Sequence, residues 1–146
     1  GCGKSTAAGR FRAEGWEVVS QDELGTRHKC EAAASQFLRA GMRVVIDRTN
    51  IEELQRSHWV NIAGHCRIPT DSIVCLNFDV PLQVCKQRVM SRTGHRTLPA
   101  DKSSLAIVDC FAGSYVRPRE REGFARVISV RGADDQAVQQ LIHGFV

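Results

Sequence analysis

The stretch GCGKST occupies residues 1–6, and its reading decides the fold. It matches the second half of the phosphate-binding loop G-x-x-x-x-G-K-[ST], whose first glycine would lie ahead of Gly1. Thr6 and the residues after it read as a helix, so Gly3, Lys4 and Ser5 fall at a helix N-terminus. There, outward-pointing N–H groups and the helix dipole favour anions. Gly1, Cys2, Gly3 and Thr6 would wrap a β-phosphate with backbone. Lys4 would reach the β- and γ-phosphates, and the Ser5 hydroxyl would hold Mg²⁺. In this pattern the loop follows a strand, which is expected to be missing from the numbered chain, or supplied from outside it.

Outward from the loop, helices and strands alternate. The pattern predicts helices over 5–14, 28–40, 52–63, 81–92, 103–115 and 134–145. It predicts strands at WEVVS (16–20), RVVID (43–47), SIVCLNF (72–78) and ARVISV (125–130). The strands are continuously apolar, as in a parallel sheet covered on both faces. The expectation is an α/β fold, three-layer α/β/α, with a mostly parallel sheet. At 146 residues, 42% hydrophobic, the chain forms one domain over 1–146 with a sizeable core.

A formal net charge of +4 suits an anionic partner without being that of a nucleic-acid coat protein. The six cysteines show no C-x-x-C pair and no zinc spacing, which predicts reduced, buried thiols in an intracellular protein. No apolar run approaches a membrane span.

A second element supports the loop. VVIDRTN (44–50) is an apolar strand ending in Asp47, the arrangement in which an acid beside the loop strand contacts Mg²⁺ directly or through water. The alternative is that Asp47 caps the next helix. SQDELG (20–25) puts Asp22 just after the preceding strand, at the edge where such sheets bind ligands. A carboxylate there can accept a hydroxyl proton; the alternative is a helix cap. Arg88 and Arg92 lie at i and i+4 on one helix, followed by Gly94, His95 and Arg96. That basic stretch stands where phosphoryl-transfer lids lie, or else forms a solvated basic face.

SQDELG, VVIDRTN, Arg56, CKQRVMSRTGH (85–95) and EREGFARVISV (120–130) occur in the order found in the kinase domain of polynucleotide kinases, which the chain resembles from Gly1 to about Val130. RTGH with the downstream EGF is particularly similar to the plant aprataxin-linked form. The resemblance implies ATP-dependent phosphorylation of 5′-hydroxyl ends of DNA or RNA. It implies ATP and Mg²⁺ as cofactors, strand-break repair as context, further domains of a larger protein as partners, and a nuclear location. It gives Lys4 and Ser5 the loop roles, Asp22 that of general base, Asp47 that of the metal-side acid, and Arg92, with Arg88 beside it, phosphate contacts. Arg56 corresponds to a recurrent arginine with a structural role. The phage-type enzymes' arginine three residues beyond the base falls on Gly25, so Arg27 is the candidate for the acceptor phosphate. Gln21 stands where several relatives have Arg. A small-molecule kinase and a non-catalytic module that binds nucleotide or DNA ends would share these motifs.

Overall fold

A computed structural model describes residues 1–91 and 102–144. Its elements are α1 (Lys4–Ala13), β1 (Glu17–Ser20), α2 (Gln21–Leu24), α3 (Arg27–Arg39), β2 (Val44–Asp47), α4 (Glu53–His65), β3 (Val74–Phe78), α5 (Leu82–Met90), α6 (Lys102–Gly113), β4 (Arg126–Val130) and α7 (Gln136–Gly144). Two short 3₁₀ turns, Thr70–Ser72 and Glu120–Glu122, lead into β3 and β4. Among these, the helix α2 is absent from the sequence reading. Four residues are too few for a periodic pattern, and Gly25 ends the turn at a φ of 83°.

All described strand pairing is parallel, β1 with β2 and β3 with β4. Helices cover both faces. Val45 on β2, Leu76 on β3 and Ile128 on β4 lean on the core of Phe11 from α1 and Val138, Leu141 and Ile142 from α7. Val44 and Ile46, offset by one residue, pack against the cluster of Val19 with Cys30 and Ala34 of α3, which Trp59 and Ile62 of α4 also cover. The period of two, apolar on both sides, is why these strands read as continuous runs. The result is an α/β fold with helices on either side of parallel strands, as expected.

The strands do not form one sheet. β2 and β3 face each other across a cavity of about 640 Å³. Every residue of Val44–Asp47 and Val74–Phe78 lines it. Since alternate side chains leave a strand on opposite faces, only the strand edges can present consecutive residues to one space. The flank is therefore open on both sides, and VVID remains half-buried at all four positions despite its apolarity.

Burial of the thiols departs from expectation. Only Cys30 is buried, while Cys2, Cys66, Cys75 and Cys85 are half-buried and Cys110 is exposed on α6. An apolar neighbourhood in sequence does not fix the side of a helix or strand on which a cysteine falls. All six are free thiols, and burial pushes that of Cys75 up to about 11.

Arg56 is the principal buried cation. It is 4% exposed and its partner Glu122 is 2% exposed. Nε donates to Oε2 at 2.6 Å and Nη2 to Oε1 at 2.9 Å, while Nη1 donates to the carbonyls of Asn50 (3.2 Å) and Val116 (3.0 Å). The side chain thus staples the turn after β2 to the segment after α6, where the Val116 N–H also donates to the Ile51 carbonyl at 2.8 Å. Burial alone would raise the Glu122 carboxyl, but the Arg56 fork and the Arg119 N–H outweigh it and hold it below its ordinary value. The pair's stabilisation is therefore complete above the unfolded carboxyl's value near 4.5 and is lost as pH falls through the lower folded value. Arg56→Met should cost about 3–5 kcal/mol at pH 7, because it strands a buried carboxylate. The cost should shrink below pH 4.5, where the variant's Glu122 is protonated. Urea unfolding at both pH values checks this; a loss under about 1 kcal/mol at pH 7, as for a surface pair, would count against the staple.

Candidate active site

The loop opens directly into α1. Gly3 adopts a φ of 99° and ψ of 10° at the helix N-cap, a left-handed conformation that side chains disfavour. Gly1 is required for a different reason: a Cβ there would lie 2.4 Å from the Cys85 carbonyl oxygen of α5. The two glycines let the backbone turn tightly between α1 and α5. Lys4 Nζ lies against Cys2 Sγ at 3.4 Å.

Gly1, Cys2 and Lys4 line the same cavity as Asp47, Arg48 and Asn50. The loop cation and the strand-end acid thus face one space. Gly1, Gly3, Thr6 and Arg88 line a second cavity of about 570 Å³ with Ser91 and residues 131–135. Gly1 belongs to both. Asp135 shapes the far wall of the second cavity by accepting from the N–H groups of Arg131 and Ala137, each at 3.0 Å. Those two bonds hold its carboxyl below the ordinary value. Arg10 ties α1 to this wall through the Ala133 carbonyl at 2.8 Å and an ion pair with Asp134.

Ser5 is exposed in the first turn of α1. Asp22 is exposed on α2, two residues beyond Ser20, and Ser20 pairs in register with Asp47. Parallel pairing therefore sets Asp22 and Asp47 at the same end of their strands, although Asp22 does not line the Lys4–Asp47 cavity. The Arg27 guanidinium is exposed and engaged, its Nε with Glu31 at 3.1 Å and its Nη1 against His58 Nε2 at 3.3 Å. Arg92 and the stretch Gly94, His95 and Arg96 lie outside the described residues.

The donors fit a magnesium ion in kind. Ser5 and Asp47 offer a hydroxyl and a carboxylate oxygen, the hard ligands that Mg²⁺ takes alongside water and substrate phosphates. No cluster of three or more His, Cys, Asp or Glu occurs among the described residues.

Two features escaped the sequence reading. The 131–135 turn was legible as RGADD at the C-terminal end of the last strand, where ligand crevices form. Arg48 lies within VVIDRTN, next to Asp47, but the sequence alone assigns it no role. In the described residues no helix is long and apolar enough to cross a membrane.

Comparison with known proteins supports the fold class. A family model described as an AAA domain matches residues 26–112, more than half of the chain. The chain is 32% identical over 136 residues to "Transcription factor bHLH140" of Arabidopsis thaliana, a match covering 88% of this chain and 14% of that protein. It is 33% identical over 132 residues to "Bifunctional polynucleotide phosphatase/kinase" of Schizosaccharomyces pombe, covering 88% of this chain and 30% of that protein. The chain thus spans under a third of either relative. With the loop, the parallel strands and the ordered motifs in place, the chain belongs to the AAA domain family as a P-loop kinase-like domain, on the polynucleotide-kinase side that its motifs resemble.

Proposed function

We propose that this domain transfers the γ-phosphoryl group of ATP to the 5′-hydroxyl of a DNA or RNA end, as one module of a nuclear end-processing protein. The observation that carries the reading is the convergence of Lys4 and Asp47 on one cavity beside a glycine loop at a helix N-terminus. Likeness to a phosphatase/kinase acting on polynucleotides supports the acceptor class.

In this reading Lys4 neutralises charge on the transferring group and the N–H groups at the start of α1 hold the β-phosphate. Ser5 and Asp47 would hold Mg²⁺, which would offset the charge of the β- and γ-phosphates when bound. Arg88, with Arg92, contacts the phosphates from the side of α5. Asp22 accepts the proton of the 5′-hydroxyl as its oxygen bonds to the γ-phosphorus. The bond from that phosphorus to the β–γ bridging oxygen breaks, and ADP leaves. Positioning and electrostatics supply most of the acceleration.

The test is transfer of labelled γ-phosphate to single-stranded 5′-hydroxyl DNA and RNA. The comparison acceptors are the same oligonucleotides already 5′-phosphorylated and a free nucleoside. Label on the 5′-hydroxyl oligonucleotides alone is the expected result. Stronger labelling of the nucleoside would make this a small-molecule kinase. ATP binding with no transfer to any acceptor would make it a binding module, a reading favoured by Gly25 at the position of the phage-type arginine.

A further inference from the structure

Arg48 follows Asp47 at the end of β2, and its guanidinium is held on two sides. Nε donates to Gln21 Oε1, and the guanidinium carbon lies 6.0 Å from the centre of the Trp59 ring. Trp59 is itself fixed, because its Nε1 donates to Asn50 Oδ1 at 3.0 Å. Arg48 Nη1 is buried, yet it has no hydrogen-bond partner among the described residues. Nor does any described carboxylate form an ion pair with the side chain, although Asp47 adjoins it. Buried charged donors are normally satisfied, so one left open beside a cavity marks a place where an acceptor docks. That cavity is the one lined by Lys4 and Asp47.

A phosphate is the acceptor that this donor set fits. A guanidinium presents a planar fork that matches phosphate oxygens, and one held by other groups loses little freedom on binding. Arg48 is also placed on the acceptor side, since Gln21 adjoins Asp22 and Ser20 pairs with Asp47. Neither position expected to serve this role presents a free guanidinium. At residue 25 the backbone has a φ of 83°, which disfavours any side chain. Arg27 is engaged with Glu31 and His58.

We infer that Arg48, oriented by Gln21 and Trp59, is the contact for the phosphate on the 3′ side of the acceptor's terminal nucleoside. In this arrangement Gln21, which stands where several relatives have Arg, orients a neighbouring arginine instead. It relocates the positive charge from the loop after β1 to the end of β2. The inference rests on the acceptor class proposed above, and its test separates the two.

Acceptor recognition is read with a nucleoside 3′-phosphate and the matching nucleoside, by equilibrium binding and by transfer from ATP. The wild-type protein should bind the 3′-phosphate form more tightly. Arg48→Ala should weaken that binding, and raise its KM, about 10- to 100-fold, as for loss of a charge-assisted fork, and erase the preference. The ATP KM should not follow. Arg48→Lys should recover part of the preference. For a 5′-hydroxyl oligonucleotide, the salt dependence of log K should flatten by about 0.7 in Arg48→Ala, the slope for one phosphate on a single strand. If Arg48→Ala fails to fold, Gln21→Ala keeps the charge but unties it and should raise the same KM. A 3′-phosphate preference that survives both Arg48→Ala and Gln21→Ala overturns the assignment while leaving the kinase reading intact. Absence of transfer in the wild-type protein overturns the kinase reading, and the binding measurements still decide Arg48.

Discussion

Asp22→Asn is expected to lower the rate of phosphoryl transfer to a 5′-hydroxyl oligonucleotide by about 10²- to 10⁴-fold, the usual worth of a general base. Asparagine matches aspartate in size and can still hydrogen-bond the hydroxyl, but it cannot take the proton. Asp22 is exposed on α2 and asparagine fills the same volume, so the substitution leaves no cavity. ATP affinity should also hold, because in the proposed site the nucleotide meets Lys4, Ser5 and Arg88 rather than Asp22. Lys4→Ala should behave differently and weaken both ATP binding and turnover, since that ammonium acts on phosphate charge in ground and transition states alike. Single-turnover rates measured beside ATP dissociation constants for both variants separate these cases. Wild-type turnover in Asp22→Asn would mean that the acceptor-side base lies elsewhere.

Residues 1–146 by themselves are expected to melt early or aggregate. Two strand edges face the cavity between β2 and β3, and unpaired edges template association with other chains. A parallel strand seated there would pair with both edges. Four apolar side chains buried on it would contribute about 1.5–3 kcal/mol each. At roughly 2–4 °C per kcal/mol for a domain of this size, the melting temperature should rise by on the order of 15 °C or more. The comparison is between residues 1–146 and a version in which an apolar strand and the loop's first glycine lead into Gly1. Cooperative, reversible unfolding of residues 1–146 within the usual mesophile range of about 45–65 °C would defeat the expectation.

The parallel architecture was legible because its signals are local. VVID and VCLNF are apolar at nearly every position, and only strands covered on both faces tolerate that. GCGKST carries its conformation in its glycines, so the start of α1 could be placed within one residue. The register of Ser20 with Asp47 could not be read, yet it is what sets the Asp22 end of β1 beside the Asp47 end of β2. Arg48 was illegible for another reason. Its significance depends on Gln21 and Trp59, 27 and 11 positions away, and on a donor left open in the folded chain. Arg27 shows the converse. A basic residue near the expected position looked suitable in sequence, but α3 and α4 supply it with Glu31 and His58.

Gly1, Cys2 and Lys4 line the same cavity as the two open strand edges. Occupancy of the phosphate loop and occupancy of the strand position are therefore linked equilibria. Whatever factor a seated strand adds to nucleotide affinity, a bound nucleotide must return to the seating of the strand, because coupling free energies are reciprocal. A segment that enters and leaves this groove would act on catalysis without touching a substrate. Saturating nucleotide would then favour the seated strand, which joins the two strand pairs, by that coupling free energy and no more.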